Sequence, residues 1–228
     1  YMNICLIPAR GGSKRIKKKN IKKFLGVPLI GWSINLAKKN KLFDQIIVST
    51  DNHEIAKISK KYGAKIPFMR PKKFSTDASP DKDVLNHYLD FAYRKNININ
   101  FLCYLYPAPP LLDVKTLKKS YQLIKSSNFP KLTPITSFPH PIQRAIVKNK
   151  DGSINYLNRK SEWIGSQKFR KMYHDAGQFY WYNVFKYTKL KNRDLVKTLG
   201  FYIERHKIQD INTNEDFKVA KKLFNLKN

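Results

Sequence analysis

Short apolar runs alternate along this chain with stretches of helical spacing. Asn3-Ile4-Cys5-Leu6-Ile7 is a continuous apolar run that stops at Pro8, the pattern of a strand buried on both faces. Residues 29–37 carry apolar positions at helical spacing behind Pro28, a favoured first-turn residue. A second strand is predicted over 45–49, stopped by Thr50-Asp51. A helix follows over 53–62 and closes at Gly63, a suitable C′ residue. The pattern continues with a short strand over 65–68 and a helix over 81–94. A strand over 101–106 is broken by Pro107, Pro109 and Pro110. A helix over 114–124 and a strand over 132–137 complete this part. Strands separated by ten-residue helices predict right-handed βαβ units and a mainly parallel α/β sheet.

The regularity loosens over 138–172, where Pro139, Pro141, Gly152 and Gly165 punctuate short segments. This stretch reads as an insertion, a hairpin and a helix leaving one domain that spans 2–228. The aromatic run Phe179-Tyr180-Trp181-Tyr182 follows, then a strand over 200–204 and a closing helix over 215–224. No internal repeat or low-complexity linker interrupts the chain.

With 228 residues, of which 42% are hydrophobic and 13% aromatic, the chain can bury a sizeable core. Cys5 and Cys103 both sit inside apolar runs and read as buried thiols, not as a zinc site or a disulfide framework. No apolar stretch approaches the ~20 residues of a membrane span, and no signal pattern opens the chain, so a soluble cytoplasmic protein is expected.

The net charge of +29 first suggests a polyanion partner. Its distribution weakens that reading. Lysines occur along the whole chain, at 17–19, 38–39, 60–61, 72–73, 118–119 and 221–222, rather than in one stripe, and no helix-turn-helix, RNP motif or zinc finger is visible. The expectation is no specific nucleic-acid partner; a basic nucleic-acid binder stays as an alternative motivated by charge alone.

The cluster over 10–19 is different. The first strand runs straight into Pro8-Ala9-Arg10-Gly11-Gly12-Ser13-Lys14-Arg15, at the carboxyl edge where open α/β sheets bind ligands. Adjacent glycines let backbone approach an anion, Arg10 and Lys14 add charge, and Ser13 adds a donor. Lys19-Asn20 contributes one more cation and one amide. The chemistry implied is polyphosphate binding, in neither a Walker A loop nor a Gly-x-Gly-x-x-Gly fingerprint. A basic surface turn is the competing reading.

Ile7-Pro8-Ala9-Arg10-Gly11-Gly12-Ser13-Lys14-Arg15-Ile16, followed by Lys19-Asn20-Ile21, resembles the signature of the cytidylyltransferases that activate nonulosonic acids, the CMP-sialic acid synthetases among them. The resemblance continues through 24–30, 47–51 and Phe68-Met69-Arg70-Pro71, and ends near 210–217. Two further stretches, 136–145 and Tyr173-His174-Asp175-Ala176-Gly177-Gln178-Phe179-Tyr180-Trp181, are more similar to the pseudaminic acid branch than to the sialic acid one. The resemblance implies a doubly wound α/β nucleotidyltransferase domain, with 138–172 as a protruding dimerisation element of a homodimer. The implied reaction transfers CMP from CTP to the anomeric hydroxyl of an acidic nine-carbon sugar, releasing pyrophosphate. Pseudaminic acid is the expected sugar; legionaminic or sialic acid, and a degenerate CTP-binding paralogue, are the alternatives.

Carried over residue by residue, the resemblance implies that Ala9, Arg10, Gly11, Ser13, Lys14, Lys19, Asn20 and Arg70 bind the nucleotide. Arg10, Lys19 and Asp210 become the candidate catalytic residues, with Lys19 nearest the transferred phosphate. Asp210 becomes a magnesium-anchoring carboxylate. The family pattern there is Asp-Ile-Asp-Thr; here Asn212 stands at the second acid position, an oxygen donor without charge. Gln143, Arg144, Gln178, Tyr180 and Trp181 are candidate sugar contacts. Two further departures stand in the match: Pro80-Asp81 where the family places small hydroxyl residues near the base and ribose, which bears on base selectivity, and Tyr106 where the sialic acid enzymes carry a glutamine, which bears on the sugar. His174 and Asp175 are adjacent on an expected strand and point to opposite faces, so they are not expected to form a dyad.

Overall fold

The structure, a computed structural model, describes residues 1–227. The expected domain ended at residue 228, which lies outside the described residues. The chain opens with β1 (Met2–Pro8), then a small ribbon of β2 (Lys23–Phe24) and β3 (Val27–Pro28) leads into α1 (Leu29–Asn40). The order continues as β4 (Gln45–Ser49), α2 (His53–Lys61), α3 (Asp81–Arg94), β5 (Ile99–Leu105), α4 (Val114–Lys125) and β6 (Lys131–Ser137). The insertion holds β7 (Ile146–Lys148) and β8 (Ile154–Tyr156). Then come β9 (Tyr173–Asp175), β10 (Phe179–Asn183), α5 (Val184–Thr188), β11 (Thr198–Tyr202) and α6 (Asn214–Lys227).

The main sheet runs β11-β6-β10-β5-β1-β4, with β9 also paired to β6. β1 lies parallel to β4 and β5, and β6 lies parallel to β11. The expected doubly wound α/β class is therefore present, with a correction at its centre. The aromatic run of β10 pairs antiparallel with both β5 and β6. Alternation of side chains reports a strand but not its direction, and here the chain returns through Gly177 at φ +60°.

Helices cover both faces. On one, Cys5, Ile7, Ile30, Ile34, Leu117, Ile124, Phe179 and Trp181 pack into a buried cluster. On the other, Ile4, Leu6, Val84, Leu85, Tyr88, Leu102, Tyr104 and Tyr182 do the same. The period-two alternation of β1, β5 and β10 divides these sets cleanly. Cys5 and Cys103 are register partners, both fully buried, as expected of structural thiols.

The helices start and stop where the sequence signals them. Asn52 caps α2, its side chain accepting the Ile55 N–H at 3.0 Å, and Asp113 caps α4 in the same way. Gly63 takes φ +95° behind α2. The strand expected over 65–68 is reduced to a single parallel bridge between Ile47 and Lys65. Pro67 has no N–H to donate, so the ladder cannot lengthen. The insertion carries the expected hairpin of β7 and β8, but among the described residues its helix is replaced by short 3-10 turns, including Arg159–Ser161 and Ser166–Lys168.

Candidate active site

The carboxyl ends of β1 and β5 open into a cleft of about 280 Å³. Its floor is the loop after β1, pinned from three directions. The Ala9 N–H donates to the Ser49 carbonyl at 2.9 Å, and the Gly11 N–H donates to Asp51 Oδ1 at 2.8 Å. The buried Asn20 donates through Nδ2 to the Arg10 carbonyl at 2.9 Å, while its Oδ1 has no hydrogen-bond partner among the described residues. Gly11 is required by close approach: a Cβ there would lie 2.9 Å from the Asn52 side chain.

Of the nucleotide candidates, Arg10, Ser13, Lys14, Lys19, Asn20 and Arg70 all line this cleft. Ala9 does not; its methyl is fully buried in the core and its N–H is spent on β4, so it shapes the loop without facing the cleft. Gly11 likewise has its N–H held by Asp51. Arg70 is only 5% exposed, with its backbone N–H on Thr50 and its Nε donating to Ser75 Oγ at 3.1 Å. Lys19 Nζ donates to the Ile211 carbonyl at 2.7 Å, which ties the loop to the segment before α6. Burial pulls the Lys19 ammonium below its usual range, against the opposing pull of Asp210. Asp77 pairs with both Arg10 and Lys14 and is itself held below the usual carboxylate range by hydrogen bonds from those cations.

Asp210 and Asn212 lie side by side beyond Lys19. The Asn212 amide donates to Asp210 and accepts from Arg15 at 2.8 Å, while its backbone N–H donates to Asp216 at 2.9 Å. Among the described residues no cluster of three or more metal-ligating side chains occurs. One carboxylate beside one engaged amide oxygen is a poor cage for a resident ion. It fits Mg²⁺ that arrives with phosphate oxygens already filling most of its shell.

The sugar candidates separate. Tyr180 faces a second cavity of about 700 Å³, and its hydroxyl donates to Asp175 Oδ2 at 2.7 Å. Trp181, the next residue on β10, is 0% exposed on the opposite face, stacked on Phe43 and donating to Ser120 Oγ at 2.9 Å. The expectation of a sugar contact at Trp181 is corrected by strand alternation, which sends neighbours to opposite faces. Gln178 is buried, its Nε2 donating to the Ala176 carbonyl at 3.3 Å, and it lines neither cavity. Gln143 and Arg144 stay within the insertion, donating to the Arg170 and Ile164 carbonyls, away from both cavities. His174 uses Nδ1 on the Asp175 backbone carbonyl, so the two side chains form no dyad.

Several residues were missed. Asp81, at the start of α3, accepts the Tyr104 hydroxyl at 2.7 Å and also the Tyr106 hydroxyl. The two family departures, Asp81 and Tyr106, are thus one structural unit. Their spacing held a signal, since Tyr104 and Tyr106 share a face at i, i+2. Among the described residues Asp81 is also the one that lines both cavities. Burial and the nearby carboxylates push the Tyr104, Tyr106 and Tyr180 hydroxyls well above their usual range, so they remain donors.

A doubly wound sheet whose carboxyl edge gathers five basic side chains in a phosphate-sized cleft defines a nucleotidyltransferase-type fold. A model of the cytidylyltransferase family matches residues 4–217, and the chain belongs to that family. It is 36% identical to a pseudaminic acid cytidylyltransferase of Campylobacter jejuni subsp. jejuni serotype O:2, across 97% of this chain and 96% of that protein. It is 31% identical to a CMP-N,N'-diacetyllegionaminic acid synthase from the same organism, across 99% and 96%. Among solved structures, a CMP:2-keto-3-deoxy-manno-octonic acid synthetase complexed with CTP superposes with a TM-score of 0.71 over all of both chains, at 17% identity, a likeness of fold.

Proposed function

We propose that this protein transfers CMP from CTP to the anomeric hydroxyl of pseudaminic acid, releasing pyrophosphate. The observation that carries the reading is the convergence of Arg10, Lys14, Lys19 and Arg70 on one cleft that adjoins a second, tyrosine-walled cavity. The relatives add the reaction class and the sugar.

In this reading the triphosphate lies over the loop after β1, displacing Asp77 from Arg10 and Lys14. The sugar oxygen bonds to the α-phosphorus as the bond to the β-phosphate oxygen breaks, and the hydroxyl proton leaves to solvent. The nucleophile comes from the sugar, so the protein's contribution is positioning and charge stabilisation. Lys19, fixed by the Ile211 carbonyl, is the cation for the transferred phosphate. Asp210 would be the protein carboxylate that holds magnesium brought with CTP, with Asn212 beside it as an uncharged oxygen donor, and the ion would supply charge neutralisation at the phosphates.

A homodimer formed through 138–172 belongs to the same reading. It is supported by apolar side chains that this single chain leaves exposed there, Ile146, Val147, Ile154, Leu157 and Trp163, the last 86% exposed. A cytoplasmic site of action follows from the CTP requirement; among the described residues no helix is long and apolar enough to cross a membrane.

The test is pyrophosphate release with Mg·CTP and pseudaminic, N,N'-diacetyllegionaminic or N-acetylneuraminic acid, with ATP, GTP and UTP as controls. Release with CTP and pseudaminic acid alone is the expected result. Release with another sugar replaces the substrate but keeps the reaction. CTP binding without release from any sugar overturns the reading in favour of a non-catalytic nucleotide binder.

A further inference from the structure

The cavity behind Asp81 is walled by Tyr180, Tyr182 and Tyr187 and floored by the start of β6. Its charges are not equivalent. Lys82 is paired with Asp194 at 2.8 Å. The Arg193 guanidinium lies over the Tyr187 ring and donates to Asn86 Oδ1 and the Thr188 carbonyl. Lys191 is exposed to solvent. Lys131 is different: it is half-buried, with Nζ 5.0 Å from the Tyr180 ring centroid and 5.8 Å from that of Tyr182. No carboxylate among the described residues lies within ion-pair distance of it.

The two carboxylates of this region are already engaged. Asp175 accepts the Tyr180 hydroxyl and the Gly177 N–H, and Asp81 accepts two tyrosine hydroxyls. They oppose an anion entering on their side and favour hydroxyl or amide donors there. A ligand with a carboxylate at one end and donors elsewhere therefore has one consistent orientation, its carboxylate on the ammonium between the tyrosine rings.

We propose that Lys131 is the sugar-binding cation of this protein, holding the carboxylate of the acid sugar in the cavity that Asp81 separates from the phosphate cleft. The inference rests on the cytidylyltransferase reading above and deepens it. Burial lowers the Lys131 ammonium's pKa against the opposing pull of Asp175 and Asp81, neither at ion-pair distance, and a bound carboxylate offsets that cost by supplying a counter-charge in direct contact. The aromatic walls exclude water from the pair and strengthen it. Arg144 is the cation among the sugar contacts expected from the sequence, and its guanidinium donates to the Ile164 carbonyl within the insertion, whereas Lys131 reads in the sequence as one more lysine beside a loop.

Lys131→Met and Lys131→Arg are compared with wild type in two assays: steady-state turnover with Mg·CTP, and calorimetric binding of pseudaminic, N,N'-diacetyllegionaminic and N-acetylneuraminic acids. Lys131→Met is expected to weaken the acid sugar by about 30-fold or more, as for removal of one partner from a desolvated charge pair. The KM for CTP stays within about twofold and Lys131→Arg recovers most of the loss, a split that a merely structural lysine does not produce. Unchanged sugar affinity in Lys131→Met, an equal loss for CTP, or no binding of any acid sugar to wild type overturns the proposal. The calorimetry separates it from the broader reading. Turnover that Lys131→Met leaves intact refutes the lysine alone. Sugar binding that depends on Lys131 without pyrophosphate release refutes the reaction alone.

Discussion

Two hollows meet at Asp81, and they are built by different routes. The phosphate cleft is built around one continuous loop stitched to the ends of β1 and β4, whose cations lie close together in sequence, with Arg70 and the loop over 72–80 joining it from further along the chain. The tyrosine-walled cavity is assembled from α3, β6, β9, β10, α5 and the segment after α5, elements far apart in the sequence. Recognition of a triphosphate needs generic positive charge on a pinned loop. Recognition of one sugar among several needs particular side chains brought together from a distance. Change in the first hollow is thus expected to act on the reaction with every sugar, and change in the second to act on the choice of sugar.

The largest effect is expected at Lys19. Lys19→Met removes a buried cation from the proposed path of the α-phosphate and is expected to lower kcat by about 100-fold or more with every sugar tested. Steady-state turnover at saturating CTP measures it; a loss confined to one sugar would erase the division between the hollows. The alkaline limb carries a second signature. Burial lowers the Lys19 pKa, so its charge is lost at lower pH than that of an ordinary lysine, and turnover falls as pH rises through that value. Lys19→Arg moves the limb to higher pH.

Trp181 tests the same boundary from the opposite side of one strand. Its neighbour Tyr180 faces the sugar cavity, whereas Trp181 is packed between Phe43, Tyr121 and Ser120. Trp181→Ala is expected to lower stability by about 3–5 kcal/mol, a large part of a domain's total, while the KM for sugar stays within about twofold in protein that remains folded. Trp181→Phe, which keeps most of the packing, covers the case in which the alanine variant does not fold. Chemical denaturation and steady-state kinetics read the two outcomes. A raised KM without lost stability would return Trp181 to the site.

The sequence disclosed these parts unevenly, for physical reasons. Continuous apolar runs and capping residues marked nearly every strand and helix, because burial and unsatisfied helix ends are decided locally. The phosphate loop was legible for the same reason, since Arg10, Ser13, Lys14, Lys19 and Asn20 are near neighbours in the chain. The antiparallel course of β10 was not legible, because pleating alternates identically in either direction. Lys131, Asp175, Asp81 and Tyr106 lie on four separate segments, and only the sheet order places them together. Asp81 and Tyr106 each stood out as a departure, yet the bond joining them belongs to the fold. Gln143 and Arg144 had a family motif behind them, but their hydrogen bonds close within the insertion.

A smaller effect is expected where α3 meets the loop over the phosphate cleft. The His87 ring packs edge-on against Phe68 and lies against Phe74, with Nδ1 buried and unpartnered among the described residues. Burial, aided by Arg94, lowers its pKa below the ordinary histidine value of about 6.5. The unfolded chain therefore binds the proton more readily. The stability contributed by neutral His87 is full above about pH 6.5 and is lost as pH falls through the lower folded value. His87→Phe is expected to flatten that acid-side decline in thermal melts taken between pH 7 and pH 5. An unchanged slope would assign the decline to other groups.

The smallest expected effect lies on the phosphate side of the boundary, where it separates competition from support. Asp77 bridges Arg10 and Lys14 from a loop whose side chains are largely solvent-exposed, and its low pKa keeps it charged throughout the neutral range. A triphosphate arriving at the same cations must displace this carboxylate. Asp77→Asn removes the competitor and is expected to lower the KM for CTP by about two- to fivefold at low ionic strength, a modest change because exposed ion pairs are weak. The gain should fade toward 0.5 M salt, where charges at this exposure are screened within a few ångströms. A rise in KM instead would mean that Asp77 holds Arg10 and Lys14 in the posture the phosphates require. The loop over 72–80 would then be part of the binding surface and not a stand-in for its ligand. In either case the sugar preference should not move, because Asp77 lines only the first hollow.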